Sequence, residues 1–278
     1  MQIPPPAGRS TDTMNYRREI DVACKAIKEA SDKYIFTKSE VKRKGKDTDS
    51  YDVVSENDVL IEDYIKQAIT KEFPDDSFIC EESGSNVRSD RVWVIDPIDG
   101  TVNYTHNIPL YGIQLALMIN DDAVMSVIYL PEFDELYTAE KGSGAFLNGR
   151  KLDVRSHVSM HDSIVSTSDY SRGAKTFREG QILFMELLHD KVARFKMFGS
   201  ACCDFAYFAS GRTDCHIRFV RNIWDFMPGL LISKEAGGIY DHELYDMYRL
   251  LIMCSSEEAL NDISKVLREG MFTSSGTD

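Results

Sequence analysis

The stretch Arg91-Val-Trp-Val-Ile-Asp-Pro-Ile-Asp-Gly-Thr101 decides the reading of this chain: an apolar, strand-like run ends in two carboxylates, Asp96 and Asp99, held around a proline. Pro97 fixes its own φ and pushes Asp96 toward extended backbone, while Gly100 permits a sharp turn or a close approach to a ligand. Two carboxylates three residues apart are thereby aimed into one small volume. Like charges that close raise each other's pKa unless something positive lies between them, which makes a pair of hard divalent cations their natural partner. Beyond Gly100 comes Thr101-Val-Asn-Tyr, where free N–H groups at a helix start suit a phosphate oxygen. Metals beside an anion cradle point to phosphoryl chemistry. Asp-Pro and Asp-Gly are also ordinary turn material, so the rest of the acidic set carries weight.

Upstream, Ser77-Phe-Ile-Cys-Glu81-Glu82 is a second apolar run that ends in carboxylates. Before it, Val59, Leu60, Tyr64, Ile65, Ala68, Ile69 and Phe73 recur at helical spacing. Ser55 falls at the N-cap of that helix and Asp58 at N3, a capping-box arrangement that gives Asp58 an ordinary structural role. Near the other end, Trp224-Asp225-Phe-Met-Pro228 followed by Glu235-Ala-Gly-Gly238 reads as a helix with Asp225 at its N-cap and Pro228 at N3. A proline at N3 offers no N–H to the cap and leaves the Asp225 carboxylate freer for a metal.

In order and spacing these residues resemble the inositol monophosphatase family of magnesium-dependent, lithium-sensitive phosphomonoesterases. The resemblance runs over about residues 15 to 265. It is carried by DVVSENDVLIE (52–62), ICEES (79–83), WVIDPIDGTVNY (93–104), GSGAFLNGRKL (142–152), GSACCDFAYFASGRTD (199–214) and WDFMPGLLISKEAGG (224–238). It implies an α+β fold, a layered αβαβα sandwich of the sugar-phosphatase type with two closely packed lobes. An N-terminal lobe (15–155) would carry most metal ligands, and a C-terminal lobe (156–268) would carry Asp225 and the substrate loop. It also implies two to three Mg²⁺ ions, held by Glu81, Asp96, the Ile98 carbonyl, Asp99 and Asp225. Thr101, oriented by Asp58 and with Glu81 close by, would help activate the attacking water. Gly100 and Thr101 would meet the phosphate, Gly199, Ser200 and Ala201 the rest of the substrate, in a chain that forms a homodimer.

One departure bears on specificity. Where inositol-selective members carry a glutamate, this chain has Arg218, with Arg221 close by. A guanidinium only donates hydrogen bonds and favours phosphate or carboxylate, although solvated loop arginines are the ordinary alternative. The expected activity is Mg²⁺-dependent hydrolysis of a small polyol or sugar phosphate by a metal-activated water. The alternatives are a 3′(2′),5′-bisphosphate nucleotidase or fructose-1,6-bisphosphatase of the same superfamily, and, in another class, a binding or regulatory protein with little activity.

Composition narrows the rest. The 278 residues can bury a sizeable core, and a net charge of -13 disfavours nonspecific nucleic-acid or membrane binding. No signal peptide or long apolar span is read, so a cytoplasmic setting is expected. The six cysteines show no CxxC pair and read as reduced and mostly core. The histidines share no spacing with the carboxylates, and no G-x-S-x-G elbow surrounds any serine. Strands are expected at Tyr111–Ile119, Ala123–Leu130 and Glu135–Glu140, with Asn148-Gly149 as a hairpin turn. Helices are expected at about 15–35, 55–73, 176–189, 200–210 and 226–236. Residues 42–51 read as a charged loop over the site, and 1–14 and 271–278 as disordered ends.

Overall fold

Alternation along the decisive strand explains the layering of the molecule. Within Arg91–Asp99, Val92 and Val94 join one buried cluster while Trp93 and Ile95 join another, so both faces of the strand are covered. The computed structural model describes residues 15–37, 40–43, 53–154, 157–170 and 175–272. Most of the expected charged loop and almost all of the two expected disordered ends lie outside the described residues. The chain is still helical at Arg268–Phe272, where Met271 packs on the core.

The first part of the chain runs α1 (Arg17–Tyr34), β1 (Val41–Arg43), β2 (Val53–Ser55), α2 (Glu56–Glu72), β3 (Ser77–Cys80), β4 (Gly84–Ser85), β5 (Arg91–Asp99), α3 (Thr101–Thr105), β6 (Gly112–Ile119), β7 (Asp122–Leu130), β8 (Glu135–Glu140), β9 (Gly144–Leu147) and β10 (Arg150–Lys151). It continues as β11 (Ile164–Thr167), α4 (Lys175–Leu188), β12 (Arg194–Met197), α5 (Ala201–Ala209), β13 (Cys215–Phe219), α6 (Met227–Glu235), β14 (Ile239–Tyr240), α7 (His242–Tyr248), β15 (Leu250–Cys254) and α8 (Glu257–Leu267). Apart from the β1–β2 pair, the strands form an eight-stranded sheet, ordered β10-β9-β8-β7-β6-β5-β3-β4, and a five-stranded sheet, ordered β12-β11-β13-β15-β14.

Helices α1 and α2 pack on one face of the larger sheet, and α5 and α6 fill the space between the two sheets. Helices α4 and α8 cover the outer face of the smaller sheet. Strand β15 shows the same division as β5: Leu251 and Met253 face the inter-sheet core, while Leu250, Ile252 and Cys254 face α4 and α8. The layered αβαβα sandwich expected of the family is the fold that forms. Asn148 and Gly149 both take positive φ in the β9–β10 hairpin, as the Asn-Gly pair predicts.

Candidate active site

The site begins where neighbouring parallel strands end. Cys80 of β3 pairs with Ile95 of β5, and the Glu81 N–H donates to the Ile95 carbonyl at 3.2 Å, which sets Glu81 beside Asp96. Residues three apart in a regular strand point to opposite faces, so Asp96 and Asp99 need an irregularity to converge. The strand supplies one: Asp96 pairs with Gln114 but Asp99 with Gly112, a register shift centred on Pro97, which has no N–H to give the ladder. Carboxylate oxygens of Asp96, Asp99 and Asp225 consequently lie within 4.8 Å of one another.

Each of the three is held differently. Asp96 is 1% exposed; its Oδ2 accepts from Gln114 Nε2 at 3.2 Å, and its Oδ1 has no hydrogen-bond partner among the described residues. Burial drives its pKa well above the ordinary carboxylate range, with the charges of Glu81, Asp99 and Asp225 and a hydrogen bond with Glu81 adding to the rise. Asp99 Oδ2 accepts from Ser200 Oγ at 2.7 Å and from the Cys202 N–H at 2.5 Å, so the start of α5 clamps it. Asp225 accepts from Asn222 Nδ2 at 3.1 Å. Burial pushes its pKa up to about 6, against the pull of Arg218 and with the push of Asp99.

Converging carboxylates with a buried, unpartnered oxygen form a poor cluster by themselves and a good one around a hard cation. The donors are all oxygens, which suits Mg²⁺ rather than zinc or copper.

Asp58 answers two demands at once. Its Oδ2 accepts from both the N–H and the hydroxyl of the N-cap Ser55, at 2.8 and 2.5 Å, while its Oδ1 lies 3.4 Å from Thr101 Oγ1. The Thr101 hydroxyl also reaches the Ile98 carbonyl at 3.0 Å. One hydroxyl proton therefore has two acceptors in reach. The geometry turns on Gly100, which adopts φ +90°; a Cβ there would stand 2.9 Å from Ser200 Cβ and 3.0 Å from the Leu110 carbonyl. Gly199, also at positive φ, brings the Ser200–Ala201 turn against Asn103, whose Nδ2 donates to the Leu110 and Phe198 carbonyls, both at 2.7 Å.

Arg218 lies on β13 beside Asp225. Its Nη1 donates to the Asp225 carbonyl at 3.3 Å and its Nη2 stands 3.9 Å from Asp225 Oδ2. It is buried rather than a solvated loop arginine.

The structure corrects one local expectation. The N-cap of α6 is Phe226, not Asp225, and Pro228 falls in the first turn, where a missing N–H costs nothing. Asp225 sits just before the helix with its carboxylate uncommitted to capping.

Two supporting residues escape sequence patterning. Glu62 is 1% exposed and accepts from the Glu82 and Ser83 N–H groups at 2.9 and 3.0 Å, fixing the loop that carries Glu81. Its signal was present as a second acid one helical turn after Asp58. Gln114 stands as the lone polar residue within the apolar strand Gly112–Ile119, opposite Asp96. By contrast, a cavity of about 930 Å³ runs along the groove between α1 and α2 and holds none of the expected site residues.

An all-oxygen acidic centre at the strand ends of a layered α+β sandwich suits a hydrolase that works through hard cations. The chain belongs to the inositol monophosphatase family, whose model matches residues 15–258. It is 34% identical to the inositol monophosphatase of Dictyostelium discoideum over 226 residues, covering 78% of this chain and 83% of that protein. It is 37% identical to the fructose-1,6-bisphosphatase/inositol-1-monophosphatase of Thermotoga maritima over 194 residues, covering 70% of this chain and 73% of that protein. Among solved structures, the extragenic suppressor protein suhB of Bartonella henselae superposes with a TM-score of 0.82 at 28% identity, over 91% of this chain and all of that one.

Proposed function

We propose that this chain hydrolyses small phosphate monoesters, of the polyol or sugar phosphate kind, with two to three Mg²⁺ ions held by Glu81, Asp96, the Ile98 carbonyl, Asp99 and Asp225. The observation that carries this is the buried Asp96 Oδ1, without a hydrogen-bond partner among the described residues, in a group of carboxylates within 4.8 Å of one another, an arrangement that calls for a cation. When bound, the metals neutralise the phosphoryl oxygens and acidify the attacking water.

The chain's own groups position the rest. Thr101 Oγ1, when it donates toward Asp58 Oδ1, keeps lone pairs free to accept a proton from the attacking water as its own proton passes to Asp58, so no charge builds up on the hydroxyl. The water oxygen bonds to phosphorus, the ester P–O bond breaks, and the leaving alkoxide takes up a proton to give the alcohol and inorganic phosphate. Backbone N–H groups of Gly100 and Thr101 offer donors to the phosphate, and the Gly199–Ala201 turn borders the alcohol portion. Ser200 acts first on Asp99, to which its hydroxyl is committed. Lithium inhibition and a homodimeric state belong to the same proposal on the strength of the resemblance.

The test is phosphate release from inositol 1-phosphate, fructose 1,6-bisphosphate, histidinol phosphate and 3′-phosphoadenosine 5′-phosphate, each with Mg²⁺ and with EDTA. EDTA-sensitive turnover of at least one substrate is expected; no turnover of any would favour a binding role instead.

A further inference from the structure

Helix α2 carries three charged side chains at four-residue spacing, Asp58, Glu62 and Lys66, which sets them along one side of the helix over about 12 Å. Beside them runs an apolar stripe, Ile61, Ile65 and Ile69, fully buried in the cluster that also holds Trp93 and Ile95 of β5. That packing fixes α2 against the strand that bears Asp96 and Asp99, so the core sets the height of each charged side chain above the site. Asp58 uses its position to face the Thr101 hydroxyl. The other two reach a different segment.

Glu81, Glu82 and Ser83 form the tight turn between β3 and β4, across which Cys80 pairs with Gly84. Three consecutive backbone N–H groups of this turn are taken: that of Glu81 by the Ile95 carbonyl, and those of Glu82 and Ser83 by Glu62 Oε2 and Oε1, one oxygen each. Lys66 adds an outer tether, its Nζ donating to Ser83 Oγ at 2.7 Å and standing 3.9 Å from Glu62 Oε1. A carboxylate buried to 1% exposure is costly to keep unless its oxygens are bonded and its charge is offset, and here both conditions are met by the turn and by Lys66. The backbone that carries Glu81 is thereby gripped by β5 on one side and by α2 on the other. The Glu81 turn and the Thr101 hydroxyl are both gauged from one helix that supplies no metal ligand. Mg²⁺ demands near-ideal ligand geometry, so contacts that hold a ligand in place are felt in its affinity.

We infer that Glu62 is a positioning residue for the metal centre, with Lys66 as its support: by holding the Glu82 and Ser83 N–H groups it fixes the turn beside Asp96, and so sets the affinity for the ion that Glu81 holds. The inference rests on the metal reading above.

The test is calorimetric titration with Mg²⁺ of the full chain, Glu62→Gln, Glu62→Asp and Ser83→Ala. Glutamine keeps one acceptor and turns an amide N–H toward the other backbone donor, whereas aspartate keeps the charge but is one methylene too short to reach both N–H groups. Both variants should weaken one class of ion by about tenfold or more, while the class held by Asp99 and Asp225 keeps its affinity. The Mg²⁺ concentration for half-maximal turnover should rise by the same factor, with the substrate KM at saturating Mg²⁺ little changed. Undiminished binding in Glu62→Asp would reduce Glu62 to a nearby charge, and an equal loss in every class would make it a support of the fold; either result overturns the inference. Ser83→Ala removes only the Lys66 tether and decides the matter if the Glu62 variants do not fold: weaker binding of the one class upholds the inference, and unchanged binding overturns it. No binding by the unmodified chain removes the metal reading itself, and this inference with it.

Discussion

Asp225 stands between two regions of opposite character. On one side, Asp96 and Asp99 from β5 bring carboxylate oxygens close to its own; on the other, arginines from α4, β13 and the following loop line a small pocket. The first is built by neighbours in the chain, with Asp96 and Asp99 brought together by a strand irregularity around Pro97. The second is assembled from arginines as far apart in the chain as Arg178 and Arg221, which meet because α4 packs over β13.

The largest effect expected is on the acidic side. Asp96→Asn should lower kcat by about a thousandfold or more with Mg²⁺, because it weakens the shared cation site, while the metal-free protein keeps or gains thermal stability as a buried acid crowded by other carboxyls is removed. A metal-free Tm well below that of the unmodified chain would show that Asp96 serves the fold instead. Thr101→Val should cost kcat about a hundredfold with little change in KM, and Thr101→Ser, which keeps the hydroxyl, should restore most of it. Equal activity in the valine variant would remove Thr101 from the proton path.

A smaller effect is expected at the turn that follows Asp99. Gly100→Ala forces a side chain onto positive φ and toward Ser200 Cβ and the Leu110 carbonyl, and should destabilise the protein by about 1–3 kcal/mol in chemical denaturation. Ala at Gly142, whose φ is also positive but whose surroundings are open, should cost less, so the difference between the two variants isolates the close approach.

The pH dependence of the metal-free protein follows from the raised carboxyls. Asp225 holds its proton in the folded state at pH values where the unfolded chain has released it, so stability falls as pH rises from about 4 through 6, and the raised Asp96 acts in the same direction. Cations compete with those protons. The Tm gain from Mg²⁺ should therefore be larger at pH 7.5 than at pH 5, and a gain independent of pH would place the cation elsewhere.

Much of the fold was legible because periodicity and turn chemistry agreed. Helices expected at 55–73 and 200–210 form at Glu56–Glu72 and Ala201–Ala209, and Asn148-Gly149 turns its hairpin. The layered sandwich came from the family resemblance, since periodicity cannot say which faces meet. The acidic trio was legible because two of its members share one short motif. Asp58 shows how an ordinary reading and a functional one coexist: one carboxylate oxygen caps α2 while the other faces Thr101. What escaped were residues whose signal is relational. Glu62 looks like surface charge until the loop after β3 folds over it, and Gln114 like a strand imperfection until Asp96 appears opposite. Asp225 was read as a helix cap because acidic caps are common, but the proline in the first turn of α6 lets the helix start without one.

The central claim is that the carboxylates around Asp96 form a metal centre. Calorimetric titration of the metal-free protein with Mg²⁺ tests it most directly: saturable binding that is lost or strongly weakened in Asp96→Asn is predicted, and undiminished binding in that variant, or none in the unmodified chain, would contradict it.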